Sequence, residues 1–211
     1  MRVLCIGDSN TWGFNPETKL RFKNRWTKVL ETLLPEDEII EEGLSGRTVI
    51  SIDPKNPWLC GINSLRCILE THQPVDLVIL MIGSNEHKNI FNSGANFIAG
   101  GIDEFIKIIK NPFTCEKYPV PELLVISPVE LKEKLIEVEG EGGIFDENSI
   151  KNSKLLPRAL EELCKRRNIF FMKASDFAEA SSIDGIHMTE ENHFKLAHGI
   201  KNKIIEIKET I

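Results

Sequence analysis

Apolar positions along the chain follow two alternating periods. Short runs rich in aliphatic and β-branched residues cover 2–6, 38–42, 76–82, 122–127 and 169–172, and they predict strands. Helical spacing fills the gaps. Residues 24–34 carry Trp26, Val29, Leu30, Leu33 and Leu34 at that spacing and stop before Pro35. Residues 62–71 stop before Gln73-Pro74, and 96–109, 149–167 and 189–207 complete the set. The run 76–82 is apolar throughout after Asp76, as a parallel strand covered on both faces requires.

Strands alternating with helices imply an α/β fold: a five-stranded parallel sheet between two helical layers. In such sheets, sites form beyond the carboxyl ends of the strands. Ser9 follows the first strand, residues 43–47 the second and 83–86 the third, so all three should share one rim. Two stretches fit no regular element. Residues 51–61 hold Pro54, Pro57 and Trp58, and 128–148 centre on Glu139-Gly140-Glu141-Gly142-Gly143. Loops this long are functional lids or else mobile segments. With no repeat and no linker, 1–211 is expected to be a single domain.

Composition narrows the class of partner. The chain is 41% apolar and 27% charged, with a net charge of −6. That balance argues against nucleic-acid binding, which needs clustered Lys and Arg to neutralise phosphates. The densest basic run, Lys19-Leu20-Arg21-Phe22-Lys23-Asn24-Arg25, reads as a solvated loop. Five cysteines (Cys5, Cys60, Cys67, Cys115 and Cys164) lack any Cys-x-x-Cys spacing. They suggest a reducing compartment, no disulfide framework and no zinc site. The apolar run after Met1 is too short for a signal peptide, and nothing approaches the ~20 apolar residues of a membrane span. The expectation is a soluble cytoplasmic protein without a membrane partner.

Chemistry concentrates near the two ends. Ser9, in Gly7-Asp8-Ser9-Asn10, sits on a strand-to-helix turn, where a hydroxyl is exposed and backbone N–H groups face a developing oxyanion. The same residues also make an ordinary turn and N-cap. Asp184 and His187 lie three residues apart, so one tight loop delivers both. His187 Nε2 would take the Ser9 proton, and Asp184 would hold Nδ1 and the tautomer. Capping at Thr189 is compatible with this. His193, His198 and His72 read as packing or surface histidines, while His87 adjoins the rim. In Gly43-Leu44-Ser45-Gly46-Arg47 and Gly83-Ser84-Asn85-Glu86, backbone N–H groups and an Asn amide could stabilise a tetrahedral oxyanion, each donor worth ~3–4 kcal/mol.

Gly7-Asp8-Ser9, Gly46, Gly83-x-Asn85 and Asp184-x-x-His187 occur in the order and approximate spacing of the SGNH (GDSL-type) hydrolases. Further stretches resemble the aryl esterase/acyltransferase branch of that family: Asn10-Thr11-Trp12-Gly13, Arg25-Trp26, residues 40–48 and Asp184-Gly185-Ile186-His187. The resemblance spans the whole chain. It implies a flavodoxin-like three-layer α/β/α sandwich with strand order 2-1-3-4-5. It makes Ser9 the nucleophile, His187 the base and Asp184 its orienter. The Ser9 and Gly46 N–H groups and the Asn85 amide would form the oxyanion hole. Trp12 and Asn10 are expected to bind substrate, with Phe14 beside them. The substrate would be a small aryl or short-chain acyl ester, cleaved without metal or cofactor, with acyl transfer to alcohols as a related outcome. An acetylated sugar is the rival substrate. A non-catalytic binding domain is the reading from another class, and flavin binding is disfavoured for want of a Ser/Thr-rich loop after strand one.

Two positions depart from the family pattern. Asn10 replaces the usual Leu, and Glu86 replaces the usual Asp, adding a methylene to any brace that carboxylate makes. Branch members form oligomers that narrow the active-site entrance, and the apolar stretch 52–59 with Trp58 is compatible with a homo-oligomer.

Overall fold

The computed structural model describes residues 1–115, 117–139 and 143–210. Its five strands are β1 (Arg2–Gly7), β2 (Glu38–Gly43), β3 (Leu77–Met81), β4 (Glu122–Ser127) and β5 (Phe170–Lys173). All neighbours pair in parallel, in the order β2-β1-β3-β4-β5. The order starts in the middle and winds outward both ways, so the rim at Gly7 opens where the winding reverses. Gly7 is in register with Gly43 on one side and Met81 on the other, which brings the ends of β1, β2 and β3 level.

Side chains alternate across the sheet and build two cores. Val3, Cys5, Leu77, Ile79, Leu124 and Ile126 face one layer, made by α2 (Trp26–Leu33) and α7 (Glu190–Thr210). Leu4, Ile6, Val78, Leu80, Leu123 and Val125 face the other. That layer holds α3 (Gly61–His72), α4 (Ala95–Ile109) and α6 (Glu147–Arg167). β3 is buried at every residue, as its unbroken apolar run predicts.

Helix limits move by one or two residues where capping decides them. α6 starts at Glu147 because Asp146 Oδ1 accepts from the Ser149 N–H at 2.9 Å and Ser149 Oγ accepts from the Asp146 N–H at 3.0 Å. Two helices were not expected. α1 (Ser9–Trp12) is one turn of mostly polar residues. α5 (Lys134–Glu139) lies inside the stretch read as a lid or mobile loop. Leu131, Leu135, Phe145, Ile150 and Ile186 form a separate small core there, so the described parts of that stretch pack beside the Asp184–His187 loop. Gly140, Glu141 and Gly142, at its centre, lie outside the described residues.

Cys5, Cys60, Cys67 and Cys164 are free thiols; the Cys115 side chain lies outside the described residues. Burial pushes the Cys164 thiol up to about 12, leaving it inert. Among the described residues, no helix is long and apolar enough to cross a membrane, and no cluster of three or more His, Cys, Asp or Glu could hold a metal ion.

Candidate active site

Ser9 is the first residue of α1, directly past β1. Asp8 caps that turn: its Oδ1 accepts from the Asn10 N–H at 3.0 Å and its carbonyl from Trp12 at 2.9 Å. The cap holds the Ser9 side chain at the rim while 95% of the residue's surface is covered. Burial raises the Asp8 carboxyl above its ordinary range, and the hydrogen bond from the Asn10 N–H offsets part of that rise.

The other end of the chain brings Asp184 and His187 to the same rim. Between β5 and α7 the backbone folds back on itself, with the Ser181 N–H donating to the His187 carbonyl at 2.7 Å. Asp184 Oδ1 accepts from Ser181 Oγ at 3.1 Å and from the N–H groups of Ile186 and His187 at 3.1 and 3.0 Å. Its Oδ2 faces His187 Nδ1 at 2.6 Å, and His187 Nε2 lies 2.9 Å from Ser9 Oγ. Burial works to raise the Asp184 pKa, yet the His187 contacts and backbone donors outweigh it and hold the carboxyl down to about 2. An ionised Asp184 fixes the proton on Nδ1 and leaves Nε2 free to accept from the serine. Ser181 was not singled out in the sequence; its only signal is a position three residues before Asp184.

Gly185 lets this loop approach its support. Its φ is +74°, and an added Cβ would stand 2.5 Å from the Leu135 nitrogen. The Lys132 N–H donates to the Gly185 carbonyl at 2.9 Å, so the segment leading into α5 braces the Asp184–His187 loop.

The loops after β2 and β3 carry Gly46 and Asn85, the oxyanion donors expected from the sequence. Gly46 has φ +83°, a left-handed conformation that turns the chain between Leu44 and Arg47. The Asn85 amide donates to the Arg47 carbonyl at 3.1 Å, and Arg47 Nη1 donates to the carbonyls of Gly7, at 3.1 Å, and Glu42. Glu86 is fully buried. Its Oε1 accepts from the N–H groups of Val49, Ile50 and Ser51, the latter two at 3.2 and 3.4 Å. The longer acid therefore reaches across and clamps the loop that carries Gly46. Burial with the Asp8 charge nearby pushes the Glu86 carboxyl up to about 7, against the three N–H bonds that lower it.

Aromatic residues stand beside the imidazole. The Phe14 ring lies 4.3 Å from the His187 ring, and Trp12 neighbours Phe14 at 6.4 Å. The Arg21 guanidinium covers the Trp12 ring at 5.3 Å and donates from Nε to the Trp12 carbonyl at 2.6 Å. The basic run expected to be a solvated loop is thus partly pinned: Arg25 is buried and paired through Nε with Glu41 at 2.6 Å.

Three further residues noted in the sequence have definite places. Asn10, expected to bind substrate, is 2% exposed, and both ends of its amide are engaged by the His187 loop. His87, beside the rim, is buried, and burial lowers its pKa to about 4, so it packs as a neutral ring. Trp58 is 67% exposed, on a segment whose next residue, Leu59, packs against Gly46.

The parallel sheet and the Ser9–His187–Asp184 arrangement at its rim define a carboxylic ester hydrolase. The model of the GDSL-like Lipase/Acylhydrolase family matches residues 5–193, and the chain belongs to that family. Solved structures agree. A carbohydrate acetylesterase, Est24 from Sinorhizobium meliloti, is 33% identical with a TM-score of 0.89, the match covering 98% of this chain and 99% of that one. The aryl esterase of M. smegmatis is 33% identical with a TM-score of 0.88, over 97% and 98% of the two chains. A member of the lipolytic G-D-S-L family from Veillonella parvula, 13% identical at a TM-score of 0.64, shares the fold. Nothing among curated proteins matches the chain.

Proposed function

We propose that this protein hydrolyses small aryl or short-chain acyl esters through an acyl-enzyme on Ser9. Ser9 Oγ attacks the carbonyl carbon as its proton passes to His187 Nε2. The oxyanion is held by the N–H groups of Ser9 and Gly46 and the Asn85 amide. His187 returns the proton to the leaving oxygen, and the C–O bond breaks. Water then attacks the acyl carbon as His187 takes its proton; the bond to Ser9 Oγ breaks, His187 returns the proton to that oxygen, and the acid leaves, while an alcohol in place of water gives acyl transfer. The observation carrying this reading is the 2.9 Å separation of Ser9 Oγ and His187 Nε2, with Asp184 on the far nitrogen.

The aromatic pair Phe14 and Trp12 supports a flat or short apolar substrate. The likeness to a carbohydrate acetylesterase keeps an acetylated sugar as the second reading. Aryl acetates assayed beside acetylated saccharides separate the two. The test of the class is hydrolysis of p-nitrophenyl acetate by the purified protein and its loss in Ser9→Ala; a variant that keeps the rate overturns the role of Ser9.

The reading extends to 1–211 as one catalytic domain working in the cytoplasm. Ile52 and Trp58 are 57% and 67% exposed beside the Gly46 loop. They support a homo-oligomer in which a second copy narrows the entrance, which sedimentation of the wild type against Trp58→Ser tests.

A further inference from the structure

Ser9 and His187 sit 178 residues apart on short irregular turns, and they must meet within hydrogen-bond reach. Three hydrogen bonds of the described residues join the Ser9 turn to the 184–188 loop. One is the Ser9–His187 contact itself. The other two belong to Asn10. Its Nδ2 donates to the Ile186 carbonyl at 3.1 Å, and its Oδ1 accepts from the Met188 N–H at 3.0 Å. These are the backbone groups immediately before and after His187. One side chain therefore grips the backbone on both sides of the imidazole.

Asn10 is itself held. Its N–H donates to Asp8 Oδ1 at 3.0 Å, it lies in the turn that begins with Ser9, and it is 2% exposed. Water does not compete for either bond. The grip starts one residue from the nucleophile and ends one residue from the base, so little backbone intervenes to accumulate error. The Asp184–His187 contact, by contrast, is internal to its own loop and leaves open where that loop sits relative to Ser9.

We infer that Asn10 is a positioning residue that docks the His187 loop on the Ser9 turn, setting the Ser9–His187 separation rather than touching substrate. The inference rests on the proposed roles of Ser9 and His187. A misplacement of about 1 Å between reacting groups costs up to ~10²-fold in rate, which sets the scale of the effect. An apolar side chain of similar size can fill the space and still loses both bonds.

The test is a double-mutant cycle on p-nitrophenyl acetate with wild type, Asn10→Leu, His187→Ala and the double variant. Asn10→Leu is expected to lower kcat by roughly 10–100-fold with little change in KM. In the His187→Ala background the same change should leave the residual rate unaltered, because Asn10 acts through His187. Equal losses in both backgrounds would mean that Asn10 supports Ser9 or the fold generally, and would overturn the inference. An unchanged kcat in Asn10→Leu overturns it too. Melting temperatures are recorded for each variant, and Asn10→Ser replaces Asn10→Leu if the latter does not fold. Full activity in His187→Ala sinks the functional reading instead, so the two failures are distinguishable.

Discussion

The side-chain amide of Asn85 donates to the backbone carbonyl of Arg47 at 3.1 Å, which ties the loop after β3 to the loop after β2. One N–H of that amide is spent on the tie, and under the proposed function the other donates to the oxyanion. In that reading the bond aims the donor before any substrate arrives, which is how a fixed dipole avoids reorganisation during the reaction.

Asn85→Ala removes both the donor and the tie. We expect kcat for p-nitrophenyl acetate to fall roughly 10²–10³-fold, the usual loss for one oxyanion donor. Stability should fall by only about 1 kcal/mol, since the unpaired group is a single carbonyl. Steady-state kinetics and denaturant unfolding on the same preparation check both; a rate within a few-fold of wild type removes Asn85 from the oxyanion hole.

Glu86 makes a prediction about pH. Its carboxyl is raised from an ordinary 4.5 to about 7 in the folded protein, so the fold favours the protonated form. That contribution is complete below pH 4.5 and is lost as pH rises to about 7. Its size is on the order of 3 kcal/mol. Glu86→Gln keeps an oxygen for the three N–H groups and cannot ionise. The stability of wild type relative to Glu86→Gln should therefore decline between pH 4.5 and 7 and then level off. A difference that is flat with pH contradicts the assignment.

Asp184 acts in the opposite sense. Its pKa is held at about 2, so its contribution is present above pH 4 and fades as pH falls towards 2. Asp184→Asn should keep the fold at neutral pH yet lower kcat by about 10⁴-fold, because a neutral amide does not enforce the His187 tautomer. Activity at pH 7 with an unchanged circular dichroism spectrum is the readout.

Gly185→Ala tests whether the 128–148 stretch is a support. A Cβ at φ +74° is strained, and it would press on the Leu135 nitrogen. We expect a stability loss of about 2 kcal/mol or more together with a fall in kcat. A stable, fully active variant would mean that α5 and the His187 loop are independent.

Much of this was legible in the sequence, for reasons specific to each element. The unbroken run 76–82 could only be a doubly covered strand, and strand-helix alternation put Ser9, Gly46 and Asn85 on one rim. Ser9 and the Asp184–His187 pair were readable because their chemistry depends on residue type and short spacing. Three features were not legible. α5 is too short for a periodic signal. Asn10 finds its partners 176 and 178 residues away, and they are backbone groups without side-chain signature. The clamp by Glu86 likewise ends on the N–H groups of Val49, Ile50 and Ser51, which any residue type could offer.

The central claim is that Ser9, activated by His187, forms a covalent intermediate. Reaction with a fluorophosphonate followed by peptide mass mapping tests it most directly. The account predicts one adduct, on Ser9, absent in Ser9→Ala and formed at least ~10³-fold more slowly in His187→Ala. An adduct on another residue, or hydrolysis of p-nitrophenyl acetate at the wild-type rate by Ser9→Ala, would contradict it.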